Sequence, residues 1–174
     1  GDYFGTYYSG YQKEQLLSYL KQFGLEKNRK FGKLSKGEKL KYQFAFALSC
    51  NPKLLILDEP TAGLDPKGRD DILDQIAYLH KVSDMTVILV SHSMEDIAKY
   101  ADRIIVMDHG QVKYNDTPRA VFAHYLELEK IGLAAPQVTY IMHDLREHGL
   151  AVDPRVTTVK EAADEIMRAL EKRK

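Results

Sequence analysis

At 174 residues the chain is long enough for one domain with its own core, and its 25 Lys and Arg balance 25 Asp and Glu. Zero formal charge gives no electrostatic case for nucleic acid or an anionic membrane as partner, and the single cysteine, Cys50, excludes an internal disulfide and suits a reducing cytoplasm. No apolar run approaches the ~18–20 residues of a spanning helix, and no secretory leader is visible, so no direct membrane insertion is expected. Gly1 stands where a gene would place Met, which points to a piece of a longer protein.

Residues 1–11 are rich in Tyr and Gly and read as irregular surface. Gly5 and Gly10 have the spacing of a phosphate-binding G-x-x-x-x-G-K-[ST] loop, but Tyr11 and Gln12 follow them. Without the lysine and the hydroxyl that loop has no chemistry, and it is rejected. From Gln12 to Phe23 apolar residues recur at helical spacing, closed by Gly24. The basic stretch 27–33 reads as a connection. Ser35 and Glu38 form an S-x-x-E capping box that opens a helix to about Ser49, with Leu40, Phe44, Ala47 and Leu48 inward.

Leu54 to Leu57 predict a fully buried strand that Pro60 ends. Asp65-Pro66 predicts the cap and first turn of a helix running to about Lys81. Thr86 to Val90 predicts a second buried strand, followed by Ser91-His92, and Ser93 opens a short helix to about Tyr100. Ile104 to Asp108 turns through His109-Gly110 into Gln111 to Tyr114, and Thr117-Pro118 begins another short helix. In the tail, Val138, Ile141, Met142 and Leu145 define one amphipathic helix stopped at His148-Gly149. Thr158 and Glu161 box the start of a second, with Ala162, Ile166, Met167 and Leu170 inward.

Chemistry concentrates where the first strand ends. Ligands of open α/β sheets bind beyond the carboxyl ends of strands, which is where Asp58 and Glu59 lie. A buried pair of acids is costly unless a cation or a reacting group uses it; a helix-capping role is the plainer alternative. His92, just past the second strand and opposite the acids, joins them as a candidate. The Ser35 helix start offers free amides and a dipole to an anion.

Taken in order, Leu34-Ser35-Lys36-Gly37-Glu38, Leu54 to Glu59, Gly63-Leu64-Asp65 and His92 resemble the signature motif (LSGGQ), Walker B, D-loop and switch histidine of the ATP-binding-cassette (ABC) ATPases. Residues 58–174, with DEPTAGLDPKGR and SHSMEDIAKYADRIIVMDHG, look most like energy-coupling-factor ATPases, which drive vitamin and metal-ion uptake. Residues 1–57, with LSKGEKLKYQFAFALS, look closer to exporter-type ATPases. Walker A and the Q-loop are not found. The resemblance implies an α/β, partial P-loop NTPase fold: a helical signature subdomain (1–50), the Walker B to switch-histidine part of the parallel-sheet core (51–128) and a helical dimerisation tail (129–174).

It also implies ATP and Mg²⁺ as ligands. Asp58 would hold the metal, Glu59 act on the attacking water, His92 contact the γ-phosphate and Asp65 link two sites. Ser35, Lys36, Gly37 and Glu38 would meet the γ-phosphate of ATP held by a second ABC ATPase subunit, like or unlike. Lys36 replaces glycine and Glu38 replaces glutamine; the added anion opposes phosphate unless the capping box turns it away. The implied setting is cytoplasmic, at the inner face of the cell membrane through an integral membrane transport subunit. Two alternatives stand beside the uptake ATPase: a non-catalytic module lending its signature to a full-length partner, and an exporter ATPase. With its flanking strands missing, the central strand leaves apolar surface uncovered, and the product alone is expected to be aggregation-prone.

Overall fold

The computed structural model describes residues 7, 8, 10–26 and 29–172. The chain divides into two compact units, one up to Val90 and one from Ser91 onward, so the boundary falls inside the 51–128 segment. In the first unit, helix α1 (Lys13–Gln22) is followed by a short 3-10 turn (Phe31–Lys33), α2 (Lys36–Leu48), strand β1 (Leu54–Asp58), α3 (Pro66–Val82) and β2 (Thr86–Val90). Helix α1 ends as its glycine predicts. Gly24 adopts φ +69°, and the Leu25 amide reaches back to the Leu20 carbonyl at 2.8 Å, satisfying a carbonyl of the last turn.

Leu16 and Leu20 of α1, with Phe23, pack against Phe44, Ala45 and Leu48 of α2; Leu57, Ile72, Leu79 and Met85 complete this core. Burying each large side chain stabilises by about 1.5–3 kcal/mol. Ala45 takes the innermost place on α2, and Leu40 and Ala47, expected inward, are only half-buried.

Strands β1 and β2 pair in parallel, Leu54 opposite Thr86 and Asp58 opposite Val90. Alternation sends Leu55, Leu57, Val87 and Leu89 into the helical core. The expectation of two fully buried strands is therefore corrected: Leu54, Ile56, Ile88 and Val90 are exposed, Ile56 at 61%. A continuous apolar run is the pattern of a strand covered on both faces, and the helices of this unit cover only one.

The second unit holds α4 (Met94–Tyr100), β3 (Ile104–Asp108), β4 (Gln111–Asp116), α5 (Pro118–Phe122), α6 (Tyr125–Lys130), α7 (Gln137–Glu147) and α8 (Val159–Glu171). β3 and β4 form an antiparallel hairpin through His109 and Gly110, both at positive φ (47° and 77°), the turn whose twist matches that of the strands. Its buried side joins Ala98, Val121, Phe122 and Leu128. The tail has a core of its own around Met142, Val152, Val156, Ala162 and Ala169. Here too the expected inward faces are corrected: Ile141, Met167 and Leu170 are exposed. α8 rests on Ala162 and Ala169 with Ile166 alongside, a narrow stripe, and the ~100° rotation per residue carries Met167 away from it.

The Thr158–Glu161 capping box forms as expected, and Glu161 also pairs with Arg119 of α5 at 3.3 Å. Burial pushes the Glu161 carboxyl pKa up, but the Thr157 amide, the Arg119 charge and the Thr158 amide and hydroxyl outweigh it, leaving it below the ordinary glutamate value. A depressed pKa adds stability that is present above the unfolded-state value and is lost as pH falls through the folded one. Hydrogen-exchange protection factors at the start of α8 (rates corrected for intrinsic exchange at each pH) should fall on acidification below the ordinary glutamate range, and Glu161→Gln should flatten that dependence. Replacing Ile56 and Ile88 by Thr should reduce light scattering of the purified chain without loss of secondary structure, because both lie on the open sheet face; unchanged scattering would place the self-association elsewhere.

Candidate functional site

The start of α2 is built by its own sequence. Ser35 takes extended dihedrals and its hydroxyl accepts the Glu38 N–H at 3.2 Å. The Glu38 carboxylate in return accepts the Ser35 N–H at 2.7 Å, and Arg29 forms an ion pair with it. Arg29 also donates to the Lys33 carbonyl at 3.4 Å. The Glu38 pKa is lowered, chiefly by the Ser35 amide. Its charge is therefore spent on a backbone donor and a guanidinium. The repulsion expected from an anion in the signature turn is countered locally. Ser35 and Lys36 themselves are exposed, so the helix start is open.

That start shares a cleft with the loop before α3. Ser35 to Glu38 form one wall and Gly63, Leu64 and Asp65 the other. Gly63 adopts φ +69°, a conformation that glycine takes without strain. Asp65 caps α3 by position, with Pro66 in the first turn as expected, but its carboxylate makes no capping hydrogen bond. Its Oδ1 instead lies beside Gly68, where an added Cβ would approach to 2.7 Å.

Asp58 and Glu59 are held by the parallel ladder and do not line this cleft. Asp58 is exposed at the carboxyl end of β1, on the open sheet face with Leu54 and Ile56. Glu59 is half-buried, and its N–H donates to the Val90 carbonyl at 2.9 Å. Its φ is +45°, in the left-handed region, which costs a non-glycine residue on the order of 1–3 kcal/mol and is concentrated at functional sites. The turn that follows closes with the Ala62 N–H on the Glu59 carbonyl at 3.1 Å. His92 is exposed and belongs to the second unit, between Ser91 and Ser93. Within that unit the Ser93 amide donates to the Ser91 hydroxyl at 3.1 Å and the Ser93 hydroxyl caps α4.

Among the described residues no cluster of three or more His, Cys, Asp or Glu is arranged to hold a metal. Asp58 nevertheless suits Mg²⁺, which commonly takes one or two carboxylates and fills its shell with water and phosphate oxygens. Arg29 lies outside the residues that the sequence singles out, since the stretch 27–33 reads there as a connection; a cation shortly before an anionic capping box is the signal for it.

Residues 3–96 match the family described as "AAA domain, putative AbiEii toxin, Type IV TA system". The energy-coupling factor transporter ATP-binding protein EcfA2 of Clostridium perfringens is 50% identical over 137 residues, covering 79% of this chain and 48% of that protein. EcfA2 of Symbiobacterium thermophilum is 43% identical over 165 residues, 93% of this chain and 57% of that one. Among solved structures, cbiO1 from Clostridium perfringens, described as part of the ABC transporter complex cbiONQ, superposes with TM-score 0.61 at 33% identity, covering 77% of this chain and 53% of its own. The ATP-binding cassette MJ1267 gives TM-score 0.60 at 28% identity, covering 68% and 47%.

The chain belongs to this AAA-domain family, and the relatives it resembles are transporter ATP-binding proteins. It has part of the P-loop NTPase fold and spans about half the length of the curated relatives it matches. The longer matches run upstream of residue 58, so the similarity to EcfA2 extends into residues 1–57. Among the described residues no helix is long and apolar enough to cross a membrane.

Ser35→Ala should cost about 1 kcal/mol of stability in urea unfolding, the usual worth of an N-cap, while Ser35→Asn keeps most of it; an unchanged midpoint for Ser35→Ala would show that the box carries no weight.

Proposed function

We propose that the chain serves in an ABC transporter ATPase that energises uptake of a vitamin or metal ion through an integral membrane subunit, and that its signature turn acts on ATP held by a second ABC ATPase subunit. One observation carries this reading. The α2 start is open and shares its cleft with Gly63–Asp65, while Asp58 and Glu59 stand apart from it. A chain whose phosphate-binding helix start and carboxylate pair do not converge suits a composite site, each set serving a different nucleotide.

In that arrangement Ser35 and the amides of Lys36 and Gly37 contact the partner's γ-phosphate, aided by the positive end of α2, while Glu38 holds the turn in shape through the capping box. Asp58 would hold magnesium, which when bound neutralises charge across the β- and γ-phosphates. Glu59 orients or deprotonates the attacking water; removing such a base costs on the order of 10²–10⁴-fold in rate. His92 steadies the γ-phosphate, and Asp65 passes the state of one site to the other. Positioning and electrostatics supply most of phosphoryl-transfer catalysis, so these placements matter more than any covalent step. Residues 1–50 act as the signature subdomain, 51–128 as part of the nucleotide core and 129–174 as the pairing tail, on the cytoplasmic side of the membrane.

No G-x-x-x-x-G-K-[ST] loop occurs within the 174 residues, so the purified chain should turn over negligible ATP alone. Mixed with a full-length EcfA-type ATPase whose own signature serine is disabled, it should restore phosphate release, and Ser35→Arg should reduce that restoration about 10–100-fold, the worth of one hydrogen bond to a charged group. Robust hydrolysis by the chain alone, or no restoration at any mixing ratio, would overturn the assignment.

A further inference from the structure

The signature turn departs from its pattern at position 36, where lysine replaces glycine. Lys36 is the first residue of α2, and the outer end of its side chain, ammonium nearest, reaches over Gly63. A Cβ built on Gly63 would meet Lys36 Nζ at 2.5 Å, Cε at 3.7 Å and Cδ at 3.9 Å. The next residue repeats the contact on a smaller scale: a Cβ on Gly37 would meet Leu64 Cδ2 at 3.7 Å. Two consecutive residues of the signature turn thus rest on two consecutive residues of the D-loop of the same chain. The loop beneath them is closed by turn bonds of 3.1 Å, Ala62 N–H to the Glu59 carbonyl and Leu64 N–H to the Thr61 carbonyl.

We propose that Lys36 is a positioning residue: the outer end of its side chain, reaching across the cleft, clamps the loop at Gly63 onto the α2 start, so that signature and D-loop of one chain are presented as a single surface. A glycine at position 36 could not make this contact. The clamp's effect on catalysis rests on the proposed function; the clamp itself does not.

Hydrogen exchange of the intact chain tests it directly, read at the Ala62 and Leu64 amides. Lys36→Ala should speed exchange there roughly two- to fivefold, the population change expected when a modest packing contact is lost, while amides of α1 and α7 keep their rates. Lys36→Met retains the stem without the charge and should stay at the wild-type rate. Equal rates in wild type and Lys36→Ala overturn the proposal, and so does Lys36→Met exchanging as fast as Lys36→Ala. In the mixing assay with a signature-disabled EcfA-type ATPase, Lys36→Ala should lower kcat with KM for ATP unchanged, and Lys36→Met should rescue it. If the wild-type chain restores no turnover while the exchange pattern holds, the functional reading falls and the clamp stands.

Discussion

The first unit depends on the register of two short parallel strands. Because Asp58 stands opposite Val90 and the Glu59 amide takes the Val90 carbonyl, the ladder runs one rung past β1 and sets where the chain must turn. Glu59 is held in the left-handed region by that bond and by the turn bond from Ala62, so a local strain is fixed by two backbone hydrogen bonds. Everything between Glu59 and Pro66 follows from that turn, including the reach of Gly63 and Leu64 to the start of α2.

Helix packing sets the other half of the geometry. Phe44, Ala45 and Leu48 lock α2 onto α1 and onto the buried sides of β1 and β2, which leaves the amino end of α2 free of the core. An open helix start is a reservoir of unsatisfied amides and positive potential. Here it is trimmed by one capping box whose anion is itself neutralised by Arg29. A glutamate that looks unsuitable beside phosphate in a linear motif becomes a piece of local scaffolding once its partners are known. Lys36, the other departure, reaches over Gly63 with the end of its side chain. Both changes work through the shape of the turn as much as through charge.

Much of this was legible before any coordinates. The capping boxes at Ser35 and Thr158, the Asp65-Pro66 helix start, the Gly24 stop and the His109-Gly110 hairpin turn depend on residues close together in the chain, and local chemistry decides them. Helical periodicity gave α7 and α8 their existence but not their buried faces. Ile141, Met167 and Leu170 point outward because small residues, Ala162 and Ala169, bring α8 close to its neighbours, and size is invisible to a pattern of apolar and polar letters. The two core strands were legible as strands, yet their covering was not, since a run such as Leu54 to Leu57 states a preference for burial and cannot state how many layers supply it.

By itself the sequence determined the order of the motifs, the ends of most helices and the family resemblance, because each rests on short-range hydrogen bonding or on residue identities at close spacing. Only the tertiary structure decided that Arg29 answers Glu38, that the α2 start and Gly63–Asp65 share a cleft, and that Asp58 and Glu59 stand outside it. Those facts join residues up to about thirty positions apart through packing, and no local preference along the chain encodes which distant side chain will lie beneath which turn.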